Sequence, residues 1–202
     1  MAKTRVLVSG FESFTGVEDN PSGAVVRRMR QRADGGGELD FVVLPVTWSG
    51  AARVLLARAD KAEVRGVLMF GVAAGDASLR VERCAWNLAA ADVPDNAGVR
   101  KQGEALVPGG AERVDTAFPV GALIERLCGE GVPVRASEDP GRYICNALYH
   151  AVLTSGHGYA KDALFVHVPP TSEASGGVTL DALERWMGRV VEGFCALRRE
   201  DY

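Results

Sequence analysis

The stretch Thr4–Pro21, TRVLVSGFESFTGVEDNP, predicts a strand, a loop and the start of a helix, in that order. Its first part, Thr4–Ser9, is a short apolar and β-branched run followed by glycine, which is typical of a buried strand. Asn20 then provides a helix N-cap, and Pro21 suits the first helical turn because its φ is fixed and it has no N–H to pair. We therefore expect a helix of roughly ten residues through Arg32.

The same alternation of apolar runs and helical segments continues along the chain. After a glycine-rich turn from Gly35 to Gly37, the run Phe41–Leu44 predicts a second strand, and a helix follows around Gly50–Lys61. Strands alternating with helices pack as a mostly parallel twisted sheet with helices on both faces, so the predicted fold class is α/β. The later segments are strands at Val67–Phe70, Val132–Arg135 and Leu164–His167, and helices near Val120–Cys128, from about Asn146, and from Leu180 to Arg198.

Residues 72–118 interrupt this alternation. They contain the turn sequences Pro94-Asp95-Asn96 and Pro108-Gly109-Gly110, which predict strand fragments and long loops rather than a second domain. Loops of this length in a compact domain are usually functional. Because a chain of 202 residues has room for one well-buried core, we expect residues 1–202 to form a single domain.

Composition and charge narrow the classes of function. Hydrophobic residues make up 47% of the chain, and the net charge is -3, with charges of both signs interspersed. This pattern lacks the basic stripe that nucleic acid binding requires. No apolar stretch is long enough for a signal peptide or a membrane helix. We therefore expect a cytoplasmic protein with neither nucleic acid nor membrane partners.

The four cysteines, Cys84, Cys128, Cys145 and Cys195, are expected to stay reduced in the cytosol. None forms a C-x-x-C pair, and no cluster of histidine, cysteine and carboxylate residues has the spacing of metal ligands. The sequence therefore predicts no metal and no cofactor, and each cysteine is either a core residue or a reactive thiol.

Cys145 is the cysteine best placed for chemistry. It lies in Gly141–Asn146, GRYICN, at the start of a predicted helix. There the helix dipole lowers a thiol pKa, and the cysteine's own N–H can point at a developing oxyanion. A buried cysteine that fills the corner between a strand and a helix explains this position equally well.

His167 interrupts an apolar strand just before two prolines. Burying an imidazole there is unfavourable unless the ring is hydrogen-bonded, so the histidine is either a core residue with a backbone partner or a catalytic base. His150 lies within a helix and His157 in a glycine loop. We rank His167 first because a strand end holds a side chain more rigidly than a glycine loop does.

Two further candidate features lie earlier in the chain than Cys145 and His167. The turn Gly71–Gly75 can cradle a phosphate or simply reverse the backbone, and it lacks the full G-x-G-x-x-G pattern of a nucleotide site. Glu82 beside Arg83 is more often an exposed charged pair than a catalytic group. On the residues alone, the sequence predicts an α/β hydrolase-like or binding domain with a candidate Cys–His pair, and a phosphate-binding protein stays open as an alternative.

Taken together, these segments resemble the pyroglutamyl peptidase I family of cysteine peptidases over nearly the whole chain. Five matches occur in the same order as in the family, which is far more specific than any one alone. The matched segments are Gly10–Gly16 with Asn20-Pro21-Ser22 (G-F-x-P-F-G-G and N-P-S in the family), Glu82–Asn87 (E-R-V-A-x-N), Val93–Asn96 (I-P-D-N), Tyr143–Asn146 ([FY]-V-C-N) and Val166–Pro169 (I-H-x-P).

The resemblance implies a catalytic triad and a reaction. Cys145 would be the nucleophile, His167 the general base and Glu82 the carboxylate that orients the histidine, with Asp95 as a supporting residue close to the histidine. The reaction would remove N-terminal pyroglutamate from peptides through a thioester intermediate. The resemblance also implies a homotetramer.

The substrate expected from the resemblance is a flat, uncharged lactam. Its pocket should combine apolar walls with a few backbone hydrogen-bond partners. Phe11, Phe14, Tyr143 and Ile144 match the family's pocket positions. A free α-amine would be left unpaired in such a site, which would exclude ordinary N-terminal residues.

Two acidic residues depart from the family pattern. Asp76 and Asp92 stand where relatives carry arginine, and the second of those arginines is associated with binding the oxyanion. Arg80, Arg83 and Arg142 are the candidates for a replacement donor. The departures favour an alternative function, in which the chain is a diverged, weakly active or non-catalytic family member that binds a small amide ligand.

Overall fold

A six-stranded mixed sheet, with helices packed on both faces, forms the centre of the computed structural model. The structure describes residues 5–33, 37–62, 64–73, 75, 77–172 and 177–200. The strands are β1 Val6–Phe11, β2 Leu39–Leu44, β3 Gly66–Val72, β4 Leu79–Glu82, β5 Cys84–Trp86, β6 Ala89–Ala90, β7 Gln102–Glu104, β8 Arg113–Asp115, β9 Val134–Ser137 and β10 Ala163–Val168; the α-helices are α1 Pro21–Arg32, α2 Ala51–Ala62, α3 Val120–Gly129, α4 Ile144–Leu153 and α5 Leu180–Glu200.

The strand order in the central sheet is β2-β1-β3-β10-β4-β9. Strands β2, β1, β3 and β10 run parallel to one another, whereas β4 is antiparallel to β10 and pairs in parallel with β9. The mostly parallel sheet predicted from the sequence is confirmed. The remaining short strands form two separate two-stranded ladders, β5 with β8 and β6 with β7.

Each face of the sheet is covered by its own apolar core. In β1, Val6 and Val8 face a core that contains residues of α1, α3 and α5, and Leu7 and Phe11 face the core of α2 and α4. All six residues of β10 are buried. Strands covered on both sides read as continuous apolar runs, which is why these strands could be located from the sequence.

Several element boundaries differ from the sequence-based expectation. Helix α4 begins at Ile144, two residues before Asn146, and β9 begins at Val134, two residues after Val132. The short strand β4 was not predicted as part of the main sheet, because its alternating apolar and charged residues are typical of an exposed segment.

Some expectations fall on residues outside the described ranges: the strand start at Thr4, Gly35 and Gly36 of the predicted turn, Ala74 within the glycine-rich turn, and the departure at Asp76. Across the described residues, no helix combines the length and the apolar character needed to cross a membrane.

Candidate active site

Glu82 and His167 form a buried hydrogen-bonded pair on neighbouring strands. His167 is the second-to-last residue of β10, and Glu82 is the last residue of the antiparallel strand β4. The two residues lie diagonally opposite each other across the two strands. His167 Nδ1 donates to Glu82 Oε1 over 2.8 Å, and Glu82 is 0% and His167 3% exposed. Because a carboxylate can only accept, this bond places the proton on Nδ1 and leaves Nε2 as the basic nitrogen.

The thiol of Cys145 lies against the strand next to His167. Gly71 of β3 is the cross-strand partner of His167. A Cβ atom at Gly71 would lie 2.8 Å from Cys145 Sγ and 2.9 Å from the Phe165 ring. Such distances are too short for real contacts, so only glycine leaves room for the thiol here. Cys145 and His167 line the same cavity.

This packing also gives Gly71 a role that differs from a phosphate cradle. The space where its side chain would stand is filled by the thiol and the Phe165 ring rather than left open for a ligand. The phosphate-binding alternative therefore receives no support from Gly71.

Helix α4 presents its N-terminus to the cavity. Tyr143, Ile144 and Cys145 line the cavity wall. Tyr143 is the N-cap residue and makes no side-chain capping hydrogen bond in the described structure. The first N–H groups of a helix have no intrahelical acceptors, so α4 brings unpaired donors and the positive end of its dipole to the thiol.

Asn146 anchors this helix start, a role the sequence reasoning missed. Its Nδ2 donates to Trp86 O at 2.8 Å and to Leu88 O at 2.9 Å, and its Oδ1 accepts from Trp86 N at 2.7 Å. Asn146 is fully buried. The amide side chain directly after Cys145 was the available signal, and it ties α4 to the segment that follows β4.

Burial governs the acidity of the resting thiol. Burial raises the pKa of Cys145 to about 12, and the nearby negative charge of Glu82 adds to the rise. The cysteine's own backbone N–H and the charge of Arg80 act in the opposite direction, with smaller effect. The expectation that the helix start lowers the pKa of Cys145 is therefore wrong for the resting protein, because desolvation outweighs the dipole. Ionising the thiol at neutral pH therefore requires a base, and the imidazole of His167 lines the same cavity.

The cavity has a volume of about 280 Å³ and largely apolar walls. All four residues expected to bind substrate, Phe11, Phe14, Tyr143 and Ile144, line it. The rings of Phe14 and Tyr143 lie 6.3 Å apart, and Trp48 packs edge-on against Tyr143 at 5.4 Å. Packing of this kind fixes the aromatic walls of a site suited to a small, flat group.

Asp95 supports the cavity from a loop rather than through the histidine. Its Oδ2 accepts from Trp48 N at 2.9 Å, and its Oδ1 accepts from the amides of Ala97 and Val99 at 2.9 and 2.8 Å. The adjacent carbonyl of Pro94 accepts from the Tyr143 hydroxyl at 3.0 Å. The described hydrogen bonds of Asp95 thus organise the loop behind Tyr143, and none of them joins the carboxylate to His167.

The three arginines considered as oxyanion donors lie in different surroundings. Arg80 lines the cavity, whereas Arg83 is exposed and is not part of its lining. Arg142 pairs with Asp139 at 2.7 Å and stacks over Trp86.

The acidic departure at Asp92 is exposed and does not belong to the cavity lining either. Among the residues that the structure describes, no group of three or more histidine, cysteine, aspartate or glutamate side chains is arranged to hold a metal ion.

Comparisons with known proteins find similarity over most of the chain. Residues 4–178 match the family model described as pyroglutamyl peptidase. A pyrrolidone-carboxylate peptidase of Thermococcus kodakarensis is 34% identical over 174 residues, which cover 84% of this chain and 82% of that protein. Another, from Erwinia tasmaniensis, is 32% identical over 165 residues, covering 82% of this chain and 78% of its own length.

A solved structure shows the same similarity in three dimensions. The pyrrolidone carboxyl peptidase of Fervidobacterium islandicum AW-1 superposes with a TM-score of 0.88 at 29% identity and covers 96% of this chain and 99% of its own. The family model spans far more than half of the sequence, and both curated relatives exceed 30% identity over most of it. This chain belongs to the pyroglutamyl peptidase family of hydrolases.

Proposed function

We propose that the protein removes N-terminal pyroglutamate from peptides, with Cys145 as nucleophile, His167 as general base and Glu82 as the group that orients the base. One observation carries this assignment: the thiol packs on Gly71, the strand partner of His167, while His167 is held by Glu82 through Nδ1. The pyrrolidone-carboxylate peptidases to which the chain is similar support the choice of pyroglutamyl peptides as substrates.

In the proposed first step, His167 Nε2 takes the proton of Cys145 as the sulfur attacks the carbonyl carbon after the pyroglutamyl ring. The raised pKa of the thiol makes this transfer necessary, since little thiolate exists at neutral pH before a base acts. Glu82 holds the imidazole in one tautomer and stabilises the imidazolium that forms. The imidazolium then protonates the leaving amine, and the shortened peptide departs.

In the second step, water hydrolyses the thioester. His167 Nε2 accepts a proton from the water, which attacks the thioester carbonyl, and the proton returns to the sulfur as pyroglutamate leaves. Both steps pass through a tetrahedral oxyanion. The N–H groups at the uncapped start of α4 are the proposed donors for it, because the residues that bear them line the cavity beside the thiol.

The walls of the cavity support recognition of an uncharged ring. Phe11, Phe14 and Ile144 offer apolar surface, and Tyr143 is held in place by its hydroxyl bond to Pro94 O. A pyroglutamyl lactam buries no charge in such a site, whereas a protonated α-amine would lose its hydration without gaining a partner. Selectivity for blocked N-termini follows from this difference.

We further propose that residues 1–202 act as one catalytic domain, in the cytoplasm and as a homotetramer. The residues proposed for catalysis and binding all stand on the central sheet or on segments packed against it. The four cysteines are free, which suits a reducing compartment. Sedimentation of the purified protein would test the tetramer, which rests on family resemblance.

Hydrolysis of a pyroglutamyl fluorogenic amide tests the proposed activity directly. The wild-type protein should release the fluorophore, Cys145→Ser should not, and Cys128→Ser, which changes an exposed cysteine outside the cavity, should behave as wild type. An inactive wild-type protein whose Tm rises with added 2-pyrrolidone would instead support the alternative of a non-catalytic amide-binding protein.

A further inference from the structure

Arg80 is a charged cavity residue that the proposed mechanism leaves without a role. It lies in β4, is the cross-strand partner of His167, and lines the cavity together with Cys145. Its side chain is 21% exposed. Among the described residues that line the cavity, it is the one lysine or arginine.

The ion pair between Arg80 and Glu82 is long and contains no hydrogen bond. Arg80 Nε lies 3.9 Å from Glu82 Oε1, which is too long for a hydrogen bond, and that oxygen already accepts from His167 at 2.8 Å. The other carboxylate oxygen, Glu82 Oε2, is buried and has no hydrogen-bond partner in the described structure. Arg80 therefore has not closed onto Glu82, and its positive charge remains available to the cavity.

The charges around the thiol explain why a cation is needed there. Glu82 brings a fully buried negative charge to the site, and this charge opposes a second negative charge on Cys145. Arg80 acts on the thiol in the opposite sense. Between buried and partly buried groups, such charges act more strongly than they do in solvent. The negative charge created during attack therefore meets the buried carboxylate of Glu82 and the guanidinium of Arg80. The other acidic residue of the cavity lining, Asp139, is exposed and paired with Arg142.

We propose that Arg80 supplies the positive charge of the reaction: its guanidinium stabilises the negative charge that passes from the Cys145 sulfur to the carbonyl oxygen of the substrate. This role rests on Cys145 being the nucleophile. Because the lactam substrate is neutral in the ground state, Arg80 acts mainly after binding, and its removal lowers kcat more than it raises KM.

Three variants separate the effect of the Arg80 charge from the effect of its side-chain shape. Arg80→Met removes the charge and keeps an unbranched side chain, Arg80→Lys keeps the charge, and Arg83→Met removes a nearby exposed charge outside the cavity. With a pyroglutamyl fluorogenic amide, we expect kcat of Arg80→Met to fall about 100-fold with a much smaller change in KM. Arg80→Lys should recover part of the loss, and Arg83→Met should match wild type.

A second readout does not depend on substrate. Iodoacetamide should alkylate Cys145 more slowly in Arg80→Met than in wild type at pH 8, because the variant loses a positive charge that lowers the pKa of the thiol. Peptide mass spectrometry gives the modified fraction of Cys145, and thermal unfolding confirms that each variant is folded under the conditions used.

Two results would overturn the role of Arg80: wild-type kcat and alkylation rate in folded Arg80→Met, or a folded Arg80→Lys as slow as Arg80→Met in both assays. Cys145→Ser, measured in parallel, separates this failure from failure of the proposed function. If Cys145→Ser is inactive while Arg80→Met is as active as wild type, only the role of Arg80 is wrong. If Cys145→Ser keeps turnover, the nucleophile assignment fails as well.

Discussion

The N-termini of α1 and α4 both reach the same cavity, but α1 has a side-chain cap and α4 has none. At α1, the side chain of Asn20 accepts from Ser22 N at 3.2 Å and from Ser22 Oγ at 2.8 Å. Ser22 Oγ in turn accepts from Phe11 N at 3.1 Å, so the capped turn is bonded to the end of β1. At α4, Tyr143 offers no capping side chain in the described structure.

The difference fits the role proposed for each helix start. A cap of this kind typically stabilises a protein by about 1 kcal/mol, and α1 uses it to fix the strand end that carries Phe11. Helix α4 forgoes that stabilisation at the turn that carries Cys145, which leaves its first N–H groups for a reacting oxygen. Both turns pack closely on glycine, α1 on Gly10 and the Cys145 thiol on Gly71.

The largest expected effect concerns the base beside α4. His167→Ala should lower kcat/KM by a factor on the order of 10⁴ or more, since neither the first proton transfer nor the activation of water has another histidine in the described cavity lining. Steady-state hydrolysis of the fluorogenic amide measures the loss. His157→Ala alters an exposed histidine outside the cavity and serves as the matched control. Equal losses in the two variants would contradict the assignment of His167.

Glu82→Gln should cause a smaller loss, about 100-fold to 1,000-fold in kcat, because glutamine keeps the shape and one acceptor but removes the charge that stabilises the imidazolium. The same assay measures this loss. Wild-type turnover of Glu82→Gln across the pH range would show that the pair with His167 is structural.

The pH dependence of Cys145 alkylation follows from the raised thiol pKa. With a pKa of about 12, the thiolate fraction of the free enzyme rises about tenfold per pH unit, so the iodoacetamide rate should climb steadily from pH 7 to pH 9 without a plateau. A rate that is already high and flat between pH 6 and pH 8 would instead indicate a preformed thiolate and imidazolium pair.

A variant with a side-chain cap on α4, like the one on α1, tests whether the uncapped amides of α4 have a catalytic role. Tyr143→Asn and Tyr143→Ala both remove the ring and its bond to Pro94 O, so they differ mainly in capping ability. We expect Tyr143→Asn to be more stable than Tyr143→Ala by about 1 kcal/mol but roughly tenfold slower, because a capped N–H no longer serves the oxyanion. Denaturant unfolding and kcat measure the two effects. If the more stable variant were also the faster one, the uncapped amides would have no catalytic role.

The smallest effect is expected at α1. Asn20→Ala should lower the free energy of unfolding by about 1 kcal/mol, since Ser22 N and Ser22 Oγ lose their acceptor. Urea unfolding of this variant beside the wild-type protein gives the comparison. An unchanged stability would show that the Asn20 bonds contribute nothing net.

The sequence predicted the fold well where burial produces a regular pattern. Strands covered on both faces are apolar runs, and Asn20-Pro21 marks the start of α1. Strand β4 was missed because Arg80 and Glu82 point into the site, so a buried functional strand has the alternation of an exposed one.

The active site could be predicted only in part from the residues alone. Cys145 and His167 could be chosen by their positions, but Glu82 became a candidate only through the family resemblance. The direction of the thiol pKa depends on how deeply Cys145 is enclosed, and the partners of Asp95 depend on how its loop folds. Neither property is encoded in local sequence spacing.

Alkylation stoichiometry tests the central claim, that Cys145 at the open start of α4 is the nucleophile. The enzyme is treated with iodoacetamide for increasing times, and residual turnover is plotted against the modified fraction of each cysteine by peptide mass spectrometry. We expect activity to fall in proportion to modification of Cys145, while exposed Cys128 is modified without loss. Inactivation with Cys145 unmodified, or full activity with Cys145 fully alkylated, would contradict it.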